Sequence, residues 1–302
     1  MAFESPKADG LDARSHSRAR QAVGAGLVAL STVAIAIVPT FARFAFDGGS
    51  NTLSIITGRS LLSVLITFLL ILALRQPLRI ARRPLAISLV MGVDYAIMLY
   101  GYLGAVQYLP VSMVILIYFV HPLLVGFVVI GLAEDRLTLI SLGALATALA
   151  GLSLAVGFSF ERPDPTGLAL AVLAMVTAAI VILGNARAMR QAAGLAVAFY
   201  MMVSAAATLV VLFAFFGTLA LPATALGWTG YAGVAIASTA GTLTFICGMG
   251  YVGAARAAMI SNLEPVLGVL FALAVLGERM TIVQGVGVAM VLAAIVAIEM
   301  SR

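Results

Sequence analysis

An all-α membrane protein of ten transmembrane helices, folded as two inverted five-helix repeats with both termini cytoplasmic, is the fold class this sequence predicts. Three observations carry that expectation: composition, an internal repeat and the sidedness of its positive charge. Hydrophobic residues make up 63% of the 302 positions and charged residues 10%, with a mean hydropathy of +1.16; a soluble domain carries roughly a quarter charged residues. The repeat appears in Tyr118-Phe119-Val120-His121-Pro122 and Ser261-Asn262-Leu263-Glu264-Pro265, where an ionisable residue stands directly before a proline inside an apolar run. A displacement of 143 positions brings Pro122 onto Pro265, Asp135-Arg136 onto Glu278-Arg279 and Tyr108 onto Tyr251. Duplication at this scale marks many transporters.

Taken in order, residues 1–20 hold Lys7, Arg14, Arg18 and Arg20 beside Glu4, Asp9 and Asp12 without apolar periodicity, which predicts a disordered cytoplasmic tail. The next apolar run is too long for a signal-peptide core and lacks a convincing cleavage site, so it counts as the first span. At about twenty apolar residues per span, ten segments qualify. They are Gln21 to Thr40, Thr52 to Leu74, Pro84 to Gly104, Pro110 to Leu132, Leu137 to Phe158, Thr166 to Asn185, Ala192 to Phe216, Trp228 to Cys247, Ala254 to Leu276 and Thr281 to Met300. The first five form one repeat over 21–158 and the last five a second over 166–300.

Positive charge sets the orientation. With the N-terminus inside, the cytoplasmic side receives Lys7, Arg14, Arg18, Arg20, Arg75, Arg79, Arg82, Arg83, Arg136, Arg187, Arg190, Arg256 and Arg302. The outer side receives only Arg43, Arg162 and Arg279. Because five spans is an odd number, the second repeat is inverted relative to the first. Trp228, at the outer end of its span, suits an interfacial anchor. The expected location is the cell (inner) membrane, with the lipid bilayer as the surrounding partner.

Several function classes are excluded on the same grounds. The net charge of +5 is spread over short loops rather than one face, which argues against a nucleic-acid partner. One cysteine, Cys247, and two histidines, His16 and His121, leave neither a disulfide framework nor a metal-ligand set, so no metal and no cofactor are expected. No connection is long enough to hold a soluble catalytic domain, and the chain is not read as an enzyme.

The ionisable-proline steps locate the chemistry. At 1.5 Å per residue, His121 lies about 16 Å and Glu264 about 15 Å from their respective membrane faces, near the middle of a core about 30 Å thick. Inversion brings both to the same depth, where such carriers bind substrate. Each proline removes an N–H, so the carbonyls of Tyr118 and Ser261 lose their helical partners and are open to a ligand, or else are re-satisfied by neighbours at a simple kink. Glu264 is read as a proton or cation site against the alternative of a carboxyl hydrogen-bonded to neighbouring helices. His121 and Tyr118, one turn apart, line the same cavity or pack as polar and aromatic core.

Asp94 lies about 15 Å deep and Arg59 about 10 Å deep. Arg59 is read as half of a structural ion pair. Asp94 is either its fixed counter-ion or a group that faces the cavity and titrates. Tyr95, Met98 and Tyr102 form a helical stripe, and Tyr102 falls on Phe245 in the repeat offset. The candidate substrate-binding residues are therefore His121, Glu264, Tyr118, Asp94, Tyr95, Tyr102 and Phe245. Asp135-Arg136 and Glu278-Arg279 read as interfacial stops and caps, and Gly285-Val286-Gly287 as a helix-packing surface rather than a phosphate loop.

Tyr108-Leu109-Pro110-Val111-Ser112, Pro122 and Glu134-Asp135-Arg136-Leu137, followed by the glycine-bearing span from Gly143 to Gly151, resemble the EamA unit of the drug/metabolite transporter superfamily. So do Gly253-Ala254-Ala255-Arg256-Ala257-Ala258, Glu264-Pro265 and Leu276-Gly277-Glu278-Arg279, together with Arg59 in the second span. The Tyr118-to-Pro122 approach is similar to that of the YddG-type amino-acid exporters, although the first span lacks their tryptophan before Ser31-Thr32. The resemblance implies a ten-helix inverted-repeat carrier for amino acids or other small metabolites, driven by protons or by the solute gradient. The expected function is alternating-access export of small neutral or zwitterionic metabolites, amino acids first. The alternatives are a lipophilic-cation efflux carrier and an intramembrane lipid-modifying enzyme.

Overall fold

The computed structural model describes residues 8–132 and 163–300, with six single positions between them: 143, 146, 147, 150, 151 and 154. Twelve α-helices and no strands occur among the described residues. The first half contains α1 (Ala8–Ala36), α2 (Val38–Asp47), α3 (Thr52–Ala73), α4 (Arg82–Ala105), α5 (Val111–Tyr118) and α6 (His121–Leu132). The second contains α7 (Pro165–Met189), α8 (Gly194–Phe216), α9 (Ala225–Val252), α10 (Ala254–Ser261), α11 (Glu264–Val275) and α12 (Ile282–Met300). Six of the described helical runs are long and apolar enough to cross a membrane, and shorter apolar helices run from Val111, Met259 and Ile282. The expected span from Leu137 to Phe158 lies outside the described residues apart from the single positions.

The 143-residue repeat reappears in the helix boundaries. Adding 143 to the ends of α5 and α6 gives 254, 261, 264 and 275, which are the ends of α10 and α11. The start of α4 likewise falls on the start of α9. In both halves the helix breaks over the two residues before the ionisable one, Phe119-Val120 and Asn262-Leu263, because the following proline has no N–H with which to continue the ladder. The paired hydrogen bonds Val120 N to Ile117 O at 3.2 Å and Leu263 N to Ile260 O at 3.2 Å close the two breaks alike.

The halves interlock. Helix α4 packs against α7 and α8 of the second half, while its counterpart α9 packs against α1, α2 and α3 of the first. Small residues allow this closeness. A Cβ on Gly101 of α4 would stand 2.8 Å from the Leu170 carbonyl of α7, and one on Gly230 of α9 would stand 2.4 Å from the Phe41 carbonyl of α2. The surface is apolar where lipid would lie: Leu61, Leu65, Leu69 and Leu72 of α3 are exposed, whereas Ile55, Ile56, Ser60 and Thr67 are buried.

Two departures from expectation concern the first span and the tail. Helix α1 already begins at Ala8. The segment from Phe41 to Asp47, expected as loop, is helical and packs inward through Ala42 and Ala45. Pro39 in the first turn of α2 starts a new helix rather than ending the span.

Candidate functional site

A cavity of about 240 Å³ lies between the two halves. Its wall takes Ile35 from α1, Val38 from α2, Arg59 from α3, Tyr95, Met98, Leu99 and Tyr102 from α4, and Tyr118 from the end of α5. The second half contributes Ala178, Val181 and Ile182 from α7, Ser238 and Thr242 from α9, and Glu264 from the start of α11. Four pairs in this wall are separated by 143 positions: Ile35 and Ala178, Val38 and Val181, Tyr95 and Ser238, Leu99 and Thr242. The cavity is therefore lined in part by positions that correspond under the 143-residue offset.

Its lining is chemically lopsided. The first half supplies the guanidinium of Arg59 and three tyrosines, and the second supplies the carboxyl of Glu264 and two small hydroxyls. Arg59 Nη2 donates to the Tyr95 hydroxyl at 3.3 Å. The Tyr118 hydroxyl reaches the sulfur of Met98 at 3.7 Å, and the Tyr118 ring packs against Tyr102 with centroids 4.3 Å apart. Glu264 makes no side-chain hydrogen bond among the described residues, and its carboxyl lines the cavity. A smaller recess shares Arg59, Tyr95, Leu99 and Thr242 with the cavity and continues along α3 to Ser60 and Ser63. The Ser63 and Thr239 hydroxyls lie 3.1 Å apart beside it.

Of the residues singled out from sequence, Glu264, Tyr118, Tyr95, Tyr102 and Arg59 come together in this wall, and His121, Asp94 and Phe245 stand outside it. His121 is buried behind Tyr118, with Nδ1 2.8 Å from the Tyr118 carbonyl and its ring 4.8 Å from the tyrosine ring. The carbonyl that Pro122 deprives of a helical partner is thus already occupied. Phe245 is half-buried on α9, away from the lining.

Of the two readings of Asp94, counter-ion of Arg59 or cavity-facing group, neither is seen among the described residues: it makes no ion pair with Arg59 and does not line the cavity. Asp94 Oδ2 is buried without a hydrogen-bond partner among the described residues, and Arg59 turns to the neighbouring Tyr95. Consecutive residues on a helix point about 100° apart, so similar depth did not place Asp94 on the face that meets Arg59. Ser238 and Thr242 were not singled out from sequence. Carrying Tyr95 and Leu99 forward by 143 positions finds both.

An interlocked bundle of apolar helices enclosing a charged, aromatic cavity places the chain in the class of multi-pass membrane proteins. Residues 165–300 match the profile of the EamA-like transporter family. A solved crystal structure shares the fold, with a TM-score of 0.60 and 18% identity over 90% of this chain and 96% of that one. No curated protein matches the chain.

Proposed function

We propose that the protein is a secondary transporter that exports small zwitterionic metabolites, amino acids first, across the inner membrane by alternating access. The observation that carries this reading is the presence of Arg59 and Glu264 in one cavity without an ion pair between them. Among the described residues neither charge is neutralised by the other, so a solute bearing both an ammonium and a carboxylate satisfies the two together. Glu264 receives the ammonium, Arg59 the carboxylate, and Tyr95, Tyr102, Tyr118 and Met98 the side chain. This substrate class matches the amino-acid exporters of the YddG type that the sequence resembles.

The ten-span inverted topology is supported by the repeat in the helix ends and by the reciprocal packing of α4 and α9, and the placement of both termini inside by the sidedness of the positive charge. Rocking one half against the other about the cavity supplies alternating access. Protons are the proposed coupling ion. Glu264 is the first candidate carrier, and Asp94, with its unpartnered buried oxygen, is the second.

Efflux of lipophilic cations is the competing transport reading, since an acid among tyrosines also suits a cation. Arg59 in the same wall repels such a solute, and about 240 Å³ is small beside the roughly 300–1,000 Å³ of drug-sized sites. Counterflow in proteoliposomes, with labelled neutral amino acids set against quaternary ammonium dyes, tests the choice: the amino acids exchange and the dyes do not. Exchange of the dyes alone overturns the proposal. A Glu264→Gln variant is expected to lose its response to a pH gradient and, because Glu264 also receives the ammonium, to raise the KM for solute. If Glu264→Gln and Asp94→Asn both keep the wild-type response, neither carries the coupling proton.

A further inference from the structure

The buried imidazole behind the cavity wall has a task that the substrate reading leaves unassigned. Pro122 cannot donate to the carbonyl four residues earlier, which belongs to Tyr118. His121 Nδ1 stands 2.8 Å from that oxygen, and a carbonyl can only accept, so Nδ1 carries the proton of this contact. The same ring packs against Tyr118 at 4.8 Å and Phe119 at 5.8 Å, and Tyr118 packs in turn on Tyr102 at 4.3 Å. Tyr118 and Tyr102 both line the cavity, whereas His121 is only 8% exposed and does not.

We infer that His121 is a positioning residue: it seals the backbone carbonyl opened by Pro122 and, through that bond and the ring contact, holds the Tyr118 wall of the cavity in place without touching solute. The second half provides the contrast. Its break has the same spacing and the same proline, but Ser261 stands in the place of Tyr118 and Glu264 in the place of His121. There is no aromatic wall to hold there, and the residue before the proline lines the cavity itself. One repeat thus uses its ionisable-proline step to build the wall and the other to present a charge.

The inference rests on the reading of the cavity as the solute site, and two measurements separate their failures. The chain has only two histidines, so ¹⁵N-histidine NMR on a His16→Gln variant in lipid nanodiscs reports His121 alone, whatever the solute. The expected tautomer carries its proton on Nδ1; a proton on Nε2 overturns the inference. In counterflow, His121→Phe keeps a ring but loses the donor. It is expected to raise KM about threefold to tenfold, the size of one net hydrogen bond, with little change in maximal rate. Adding Pro122→Ala returns a backbone N–H to the Tyr118 carbonyl and is expected to recover most of the loss. A double variant no better than His121→Phe alone overturns the inference, whereas absence of amino-acid counterflow in the wild type overturns the substrate reading and leaves the NMR result to decide for His121.

Discussion

Arg59 and Glu264 both line one cavity, and on the proposed function its selectivity follows from how each is held. Among the described residues Arg59 is anchored by a bond to the Tyr95 hydroxyl. Removing that hydroxyl in Tyr95→Phe frees the guanidinium to wander and is expected to weaken solute binding about threefold to tenfold. Arg59→Gln removes the charge itself, and a contact with a charged group is worth about 1.5–3 kcal/mol, or roughly tenfold to a hundredfold in KM. A titration of counterflow against solute concentration reads both variants, and an Arg59→Gln protein with unchanged KM would remove Arg59 from the site. At this scale the sequence was informative about residue type and depth but not about direction. Glu264 and Tyr118 are legible because a proline beside a polar residue in an apolar run has few explanations. The choice between Asp94 and Tyr95 depends on the rotation of α4 about its axis, which packing against α7 and α8 decides.

Among the elements, the broken helices α5–α6 and α10–α11 do most to shape the site, because each break ends a backbone ladder at the cavity. The sequence marked the proline step inside each of the spans Pro110 to Leu132 and Ala254 to Leu276, but the division of each into two helices needed the fold. The start of α5 is secured from the other half of the chain. Gly277, at a φ of +66° that a residue with a Cβ rarely adopts, ends α11 and turns the chain so that the Glu278 carboxylate meets α5. That carboxylate accepts from Val111 N at 2.5 Å, Ser112 N at 3.1 Å and the Ser112 hydroxyl at 2.6 Å. The sequence marked Glu278 as a cap without saying which helix it caps, because the partner lies 166 residues away. Glu278→Ala leaves two first-turn N–H groups without their acceptor and is expected to cost about 1–3 kcal/mol, read as a lower thermal midpoint in fixed detergent. An unchanged midpoint would show that water replaces the carboxylate. Asp135, its counterpart by the offset, lies outside the described residues.

For the whole molecule, the duplication explains both the architecture and the site. Interlocking puts α4 into the second half and α9 into the first, so the cavity wall is drawn from both copies. Corresponding positions then share one wall, and divergence between them makes that wall uneven: tyrosine against serine at 95 and 238, leucine against threonine at 99 and 242. The repeat was legible in a handful of motif residues, whereas the meeting of its copies at four paired wall positions needed the fold. On the proposed function, this cavity recognises two opposite charges on one small solute. Counterflow with a labelled neutral amino acid, competed by the same molecule lacking its carboxylate (the amine) and lacking its ammonium (the acid), tests this most directly. The account predicts that the intact zwitterion competes and that each one-charge analogue competes at least tenfold more weakly; competition by the amine equal to that of the zwitterion would contradict it.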